Sequence, residues 1–297
     1  MKISRVIAGV LLACSMLAQQ VTAQTPAPAP AAQSPAVQTD VVRATLANGL
    51  TVVLVPNDLA PVATTVLTYG VGSDDDPRPG TAHATEHMLF RGTNDISAGQ
   101  LAGLAARAGA QYNAQTTNTN TTFYFKIPSS YVGLALHLEA DRMNGASMAP
   151  SAWLTERGAI EQEIRADESV PGYAIGAEIR HAFFGNSPYA DDAGGTIESF
   201  EKMTAGGIAT FYKAWYHPNN ATLVVAGDID PIATMAQIHQ NFDSIPSVPL
   251  QAHKTAPIAP LTSKTIDGGV AELPIPWWEW STDFPACATR TIKPAKC

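Results

Sequence analysis

Short β-branched runs alternate with longer segments whose apolar residues recur every three to four positions. Residues 51–55, Thr-Val-Val-Leu-Val, and residues 62–69 are bounded by turn residues and predict buried strands. Residues 121–127 and 221–226 predict two more strands. Helical spacing predicts helices over residues 98–110, 131–142, 151–166, 174–184, 209–215 and 231–241. The stretch 168–172 is less regular, and a Gly-rich loop follows 184 as far as Gly195. Strands interleaved with helices, with no internal repeat, predict an α+β domain: a mixed β-sheet covered by helices. Tyr124 and Phe125 read as core aromatics, and the run Asp74-Asp75-Asp76 as a solvated loop.

The two ends break this pattern. Lys2 and Arg5 precede an apolar stretch too short to span a bilayer, and Val21-Thr22-Ala23 is a small-residue cleavage site, so residues 1–23 read as a signal peptide. Export, into a bacterial periplasm, is the expected location. The alternative is a lipid anchor in the envelope, since Leu11-Leu12-Ala13-Cys14 resembles a lipoprotein signal; membrane contact is expected only if Cys14 is acylated or the leader is retained. Residues 24–40 are a Pro/Ala-rich linker that buries nothing. The folded domain is expected over residues 41–250. Residues 251–297 form an atypical tail with three Trp within residues 277–280, and a truncation or frame disruption would explain it. Cys287 and Cys297 could pair in an oxidising compartment, but they would close only a small terminal loop.

Among 297 residues the apolar fraction is 45%, enough for a large core, and the net charge is −8. With no basic run between residues 41 and 265, nucleic acid is excluded as a partner class.

Candidate chemistry concentrates at His83-Ala-Thr-Glu86-His87. On a helix, residues four apart lie on one face, so His83 and His87 can reach one metal ion. Glu86 stands on the neighbouring edge, close enough to act on a metal-activated water. The pattern H-x-x-E-H inverts the zinc-protease signature H-E-x-x-H. A catalytic zinc keeps three protein ligands, and Glu156 and Glu163 share a helix face two turns apart. One of them can bind the metal while the other supports a ligand. Glu161 falls on another face. His137, His181, His217, His239 and His253 have no second ligand at useful spacing and read as structural or surface residues.

The chain resembles the pitrilysin family of zinc peptidases, which includes insulin-degrading enzyme and the mitochondrial processing peptidase. The resemblance is carried by Leu46-Ala-Asn-Gly-Leu50, by Gly80-Thr-Ala-His83 through Thr93, and by Asn113-Ala-Gln-Thr116. Pro188-Tyr189, Tyr216-His-Pro-Asn-Asn220 and Val224-Val-Ala-Gly-Asp228 extend it, so it runs from about Val41 to Pro246. It implies His83, His87 and Glu163 as ligands of one Zn2+ per chain, Glu86 as general base, and Glu156 as a carboxylate supporting a ligand. It also implies Asn113 and Ala114 on an edge strand where an extended or unfolded peptide docks by strand addition. The implied activity is zinc-dependent endopeptidase chemistry, with a second domain or partner subunit of similar fold. The alternative is a non-catalytic peptide-binding or assembly subunit, or an inactive fragment that needs a partner for turnover.

Overall fold

The computed structural model describes residues 41–185 and 187–254, with the short paired strands Ser281–Thr282 and Arg290–Thr291. The leader, the Pro/Ala linker, both tail cysteines and the Trp cluster lie outside the described residues. So does most of the tail beyond residue 250.

Six strands form one mixed sheet: β1 (Val42–Thr45), β2 (Thr51–Pro56), β3 (Val62–Tyr69), β4 (Gln111–Thr116), β5 (Thr121–Pro128) and β6 (Ala221–Gly227). Their spatial order is β1-β2-β6-β3-β5-β4. Only β2 and β6 run parallel, with Val53 opposite Val224; the other pairs are antiparallel. β4 is therefore an edge strand, hydrogen-bonded to β5 alone among the described residues.

Eight helices complete the described domain: α1 (Thr81–Met88), α2 (Ala98–Ala108), α3 (Val132–Gly145), α4 (Pro150–Glu168), α5 (Tyr173–Phe184), α6 (Ile197–Glu201), α7 (Ala205–Trp215) and α8 (Pro231–Phe242). Alternate strand residues Val52, Leu54, Leu67, Phe123, Leu223 and Val225 point to one sheet face, where Leu136, Phe211 and Ile238 of the helices cover them. Side chains on a strand alternate between faces, so the intervening positions Thr64, Val66 and Thr68 look the other way and stay partly open. This alternation corrects one expectation. Phe125 is fully buried, but its neighbour Tyr124 necessarily faces the opposite side and is 39% exposed. Beneath the covered face, the Arg142 guanidinium lies 4.5 Å from the Phe123 ring centroid and 3.3 Å from Glu139. Burial pushes the Glu139 carboxyl above its ordinary range.

The acidic run at 74–76 is also different from expectation. Asp74 and Asp75 are buried, because this turn is packed against other segments rather than water. The Asp74 N–H donates to the Asn118 carbonyl in the β4–β5 turn (2.9 Å). Asp75 accepts from the Lys254 backbone N–H at 3.1 Å and lies 2.9 Å from His253 Nδ1, while His253 stacks on Trp215. Carboxylates taken from water are held where hydrogen bonds replace that water. Helix α6 was not foreshadowed by periodicity; it is five residues long and is started by the Thr196 side chain, which accepts from Ser199 N–H.

Candidate metal centre

Helix α1 carries two histidines and a glutamate with few apolar residues, so its position depends on its ends and its packing. Gly80 precedes it with φ +82°, a left-handed turn that suits glycine. The Asp76 carboxylate then accepts from the first two helical N–H groups, Thr81 at 2.9 Å and Ala82 at 2.7 Å. Those donors have no partner within the helix, so the carboxylate completes them. Ala84 and Met88 pack into a second apolar cluster with Trp153, Ile160 and Ile164 of α4 and with Phe200 and Ile208. This contact sets α1 against α4.

On the exposed side of that contact, His83 and His87 stand one turn apart with ring centroids 4.8 Å from each other. Glu156 and Glu163 of α4 face them. The Glu163 Oε2 atom lies 3.8 Å from His83 Nε2 and 3.4 Å from His87 Nε2. Ligand atoms of these three residues all lie within 4.8 Å of one another. The opposite nitrogen of each ring is engaged elsewhere. His83 Nδ1 is 3.1 Å from the Gly194 carbonyl oxygen, and His87 Nδ1 is 3.1 Å from Glu156 Oε2. A carbonyl or carboxylate can only accept, so each Nδ1 carries a hydrogen, and the tautomer this selects has its bare Nε2 towards Glu163. Burial, and then the neighbouring His83, holds His87 below the ordinary histidine value, which favours that neutral form. Two imidazole nitrogens and a carboxylate oxygen suit zinc, and the donors converge without rearrangement of the fold.

The Gly194 carbonyl reaches His83 because two glycines meet. A Cβ on Gly195 would lie 2.6 Å from Gly80 Cα, and a Cβ on Gly80 would lie 2.4 Å from Phe200 Cζ. Only bare backbone allows that approach. The other carboxylate of the motif, Glu86, is buried beside the centre, and its Oε2 accepts from Thr116 Oγ1 at 2.5 Å. Thr116 is the last residue of edge strand β4, so this strand runs directly to Glu86.

The residues picked out in the sequence thus fall into one place. His83, His87 and Glu163 converge, with Glu86 and Glu156 beside them. Glu161 is turned away and pairs with Arg157 and Arg165. Asn113 lies exposed on β4 opposite Tyr124, and Ala114 is half-buried opposite Phe123. Of the other histidines, His137, His217 and His239 contact Asn241, Lys213 and Asp243 respectively, away from the centre. Three contributors were given no role by the sequence: the Gly194 carbonyl, the Thr116 hydroxyl and Arg91, although the last two lie in the segments that carry the resemblance. The Arg91 guanidinium pairs with Glu156 Oε1. Its physical clue was that a carboxylate in the apolar phase of α4 requires a counter-charge.

Fold and donor set together define a zinc-metallopeptidase fold with a candidate metal-binding triad. The profile of insulinase (peptidase family M16) matches residues 51–196, which contain all three candidate ligands, and that of the peptidase M16 inactive domain matches residues 202–280. The chain belongs to this family. An uncharacterized zinc protease of Mycobacterium leprae is 31% identical over 206 residues, covering 69% of this chain and 46% of its own length. The zinc protease PqqE of Helicobacter pylori is 29% identical over 217 residues, covering 71% and 48%. A crystal structure of a protease from Helicobacter pylori superposes with a TM-score of 0.69 at 26% identity, over 74% of this chain and 54% of that one. The chain spans about half the length of the curated relatives it matches.

Proposed function

We propose that this chain is the metal-bearing part of a zinc-dependent endopeptidase that hydrolyses extended or unfolded peptides. The observation that carries the reading is the convergence of His83 Nε2, His87 Nε2 and Glu163 Oε2, with the Glu86 carboxylate alongside. His83, His87 and Glu163 would hold the ion. A bound Zn2+ supplies Lewis acidity, which polarises a peptide carbonyl and makes water a better nucleophile. Glu86 performs the proton transfer. Its Oε2 is steadied by Thr116, and Oε1 takes a proton from the attacking water and returns it to the leaving amine. Glu156 keeps the His87 ring oriented by accepting from Nδ1. The edge of β4 that is unpaired among the described residues, with Asn113 and Ala114, would receive the peptide as an added strand next to Glu86.

Relatives of about twice the matched length support a second domain or partner subunit of similar fold as a requirement for full turnover. The leader-like pattern at residues 1–23 supports action outside the cytoplasm, in a bacterial periplasm. The test is hydrolysis of a mixed quenched-peptide library by the zinc-loaded chain, beside Glu86→Gln. Turnover that vanishes in the variant while zinc stays bound is the expected result. Turnover retained by Glu86→Gln would overturn the assignment of the base.

A further inference from the structure

We infer that Arg91 is a positioning residue of the metal centre: by pairing with Glu156 it holds that carboxylate against His87 and so sets the zinc affinity of the site. This rests on the metal reading proposed above.

The Glu156 side chain is only 5% exposed. It projects from α4 beside Trp153 and Ile160, which are buried in the apolar cluster under α1. Its oxygens have one polar neighbour each: Oε2 meets His87 Nδ1, and Oε1 is ion-paired with the Arg91 guanidinium and has no hydrogen-bond partner among the described residues. A buried carboxylate stripped of its counter-charge is strongly unfavourable, and the usual relief is to turn towards water. Such a turn would take Oε2 off His87. Arg91 is well placed to prevent it. The chain turns sharply after α1, with Arg91 N–H donating to the Met88 carbonyl at 3.0 Å. Its side chain is 37% exposed, so the guanidinium keeps part of its hydration while one edge caps Glu156. The series guanidinium, carboxylate, imidazole N–H fixes the His87 ring at its far nitrogen and leaves its Nε2 free to meet an ion.

Two effects of Arg91 on a cation oppose each other, and that makes the inference decidable. As a nearby positive charge it repels a divalent ion directly, so its removal alone would tighten zinc. As the anchor of Glu156 it strengthens binding, so its removal would weaken zinc. Loss of an outer partner of a ligating histidine typically costs ~10–100-fold in metal affinity. Direct repulsion by a partly solvated guanidinium is smaller, because water screens it.

The test is the zinc dissociation constant of the full chain, by chelator competition, for wild type, Arg91→Met, Arg91→Lys, Glu156→Gln and the double variant Arg91→Met with Glu156→Gln. Expected are a loss of about tenfold or more for Arg91→Met and a smaller loss for Arg91→Lys, which keeps the charge. The double variant should bind no more weakly than Glu156→Gln alone, since both changes break one series. Melting of the zinc-free proteins identifies any variant that fails to fold; should Arg91→Met be one, the comparison of Arg91→Lys with wild type carries the test. Zinc binding by Arg91→Met as tight as wild type or tighter would overturn the inference, as would losses that multiply in the double variant. A wild-type chain whose zinc binding is unaffected by His83→Ala would overturn the metal reading itself, and this inference with it.

Discussion

Asp76 offers a prediction in which two familiar forces pull in opposite directions. Its carboxylate sits at the start of α1, accepting from the Thr81 and Ala82 N–H groups, a position that favours negative charge. Those hydrogen bonds and the Lys254 ammonium lower its pKa, but burial outweighs them and pushes it from 3.8 up to about 7. An acid whose folded value is raised binds its proton more tightly when folded. Its stabilising contribution is therefore fully present below about pH 4 and is lost as pH rises through about 7. A displacement of that size corresponds to about 4 kcal/mol between the two limits. For a domain of this size that is about 8–16 °C in melting temperature. Asp76→Asn imitates the neutral form: it keeps one acceptor oxygen and does not titrate. The assay is thermal melting of wild type and Asp76→Asn from pH 4 to pH 8. Relative to wild type, the variant should gain stability as pH rises, with most of the change between pH 5 and pH 7.5. If wild type instead gains on the variant over that range, the helix terminus and its N–H donors dominate, and the argument from burial is wrong.

Three further outcomes follow from the site. Gly195→Ala forces a Cβ to within 2.6 Å of Gly80 Cα at a φ of +82°, so it should destabilise the fold by about 1–3 kcal/mol or more and weaken zinc by displacing the Gly194 carbonyl; melting and chelator competition measure the two effects. Thr116→Val removes the hydroxyl that donates to Glu86, and loss of a hydrogen bond to a charged group, about 1.5–3 kcal/mol, should lower kcat about 10–100-fold with zinc affinity unchanged, whereas Thr116→Ser should retain activity in the same peptide assay. Chelation should lower the melting temperature without unfolding the chain, because the main core around Leu67, Phe123 and Leu223 is closed independently of the centre; at zinc about 100-fold above its dissociation constant the difference should be about 2.7 kcal/mol, and circular dichroism in EDTA checks that the fold persists.

Much of this centre was legible in the sequence for a simple reason. His83 and His87 are neighbours on a helix, and Glu156 and Glu163 share a face of another, so local periodicity already places each pair. Periodicity cannot say which carboxylate meets which ring; the packing of α1 on α4 sets Glu163 Oε2 near both Nε2 atoms and Glu156 Oε2 against His87 Nδ1. The parts that were not legible depend on contacts between distant segments. Gly194 is 111 residues from His83 and contributes a backbone oxygen, which no side chain announces. Asp75 looked solvated because an acidic run usually is, yet its partners are His253 and Lys254, 178 and 179 residues away. Tyr124 was misread for a local reason: neighbouring residues of one strand cannot both enter the same core.

The candidate centre combines two fixed side chains with an adaptable one. His83 and His87 are each held at Nδ1 by a group from a remote segment, on a helix whose first turn is closed by Asp76 and whose inner face is buried. Their Nε2 atoms are therefore held in place by the fold, so for a metal bound there the ordering cost would be met by folding rather than by binding. Glu163 is different. Its side chain is 50% exposed, and its only polar contacts among the described residues are with the two imidazoles. It can therefore adjust its approach as an ion enters or leaves without disturbing the packed side of α4, where Trp153, Ile160 and Ile164 anchor the helix. On the proposed reading, exchange of metal and access of a peptide would share the solvent-facing side, next to the edge of β4 that pairs with β5 alone among the described residues and the Glu86 it steadies through Thr116.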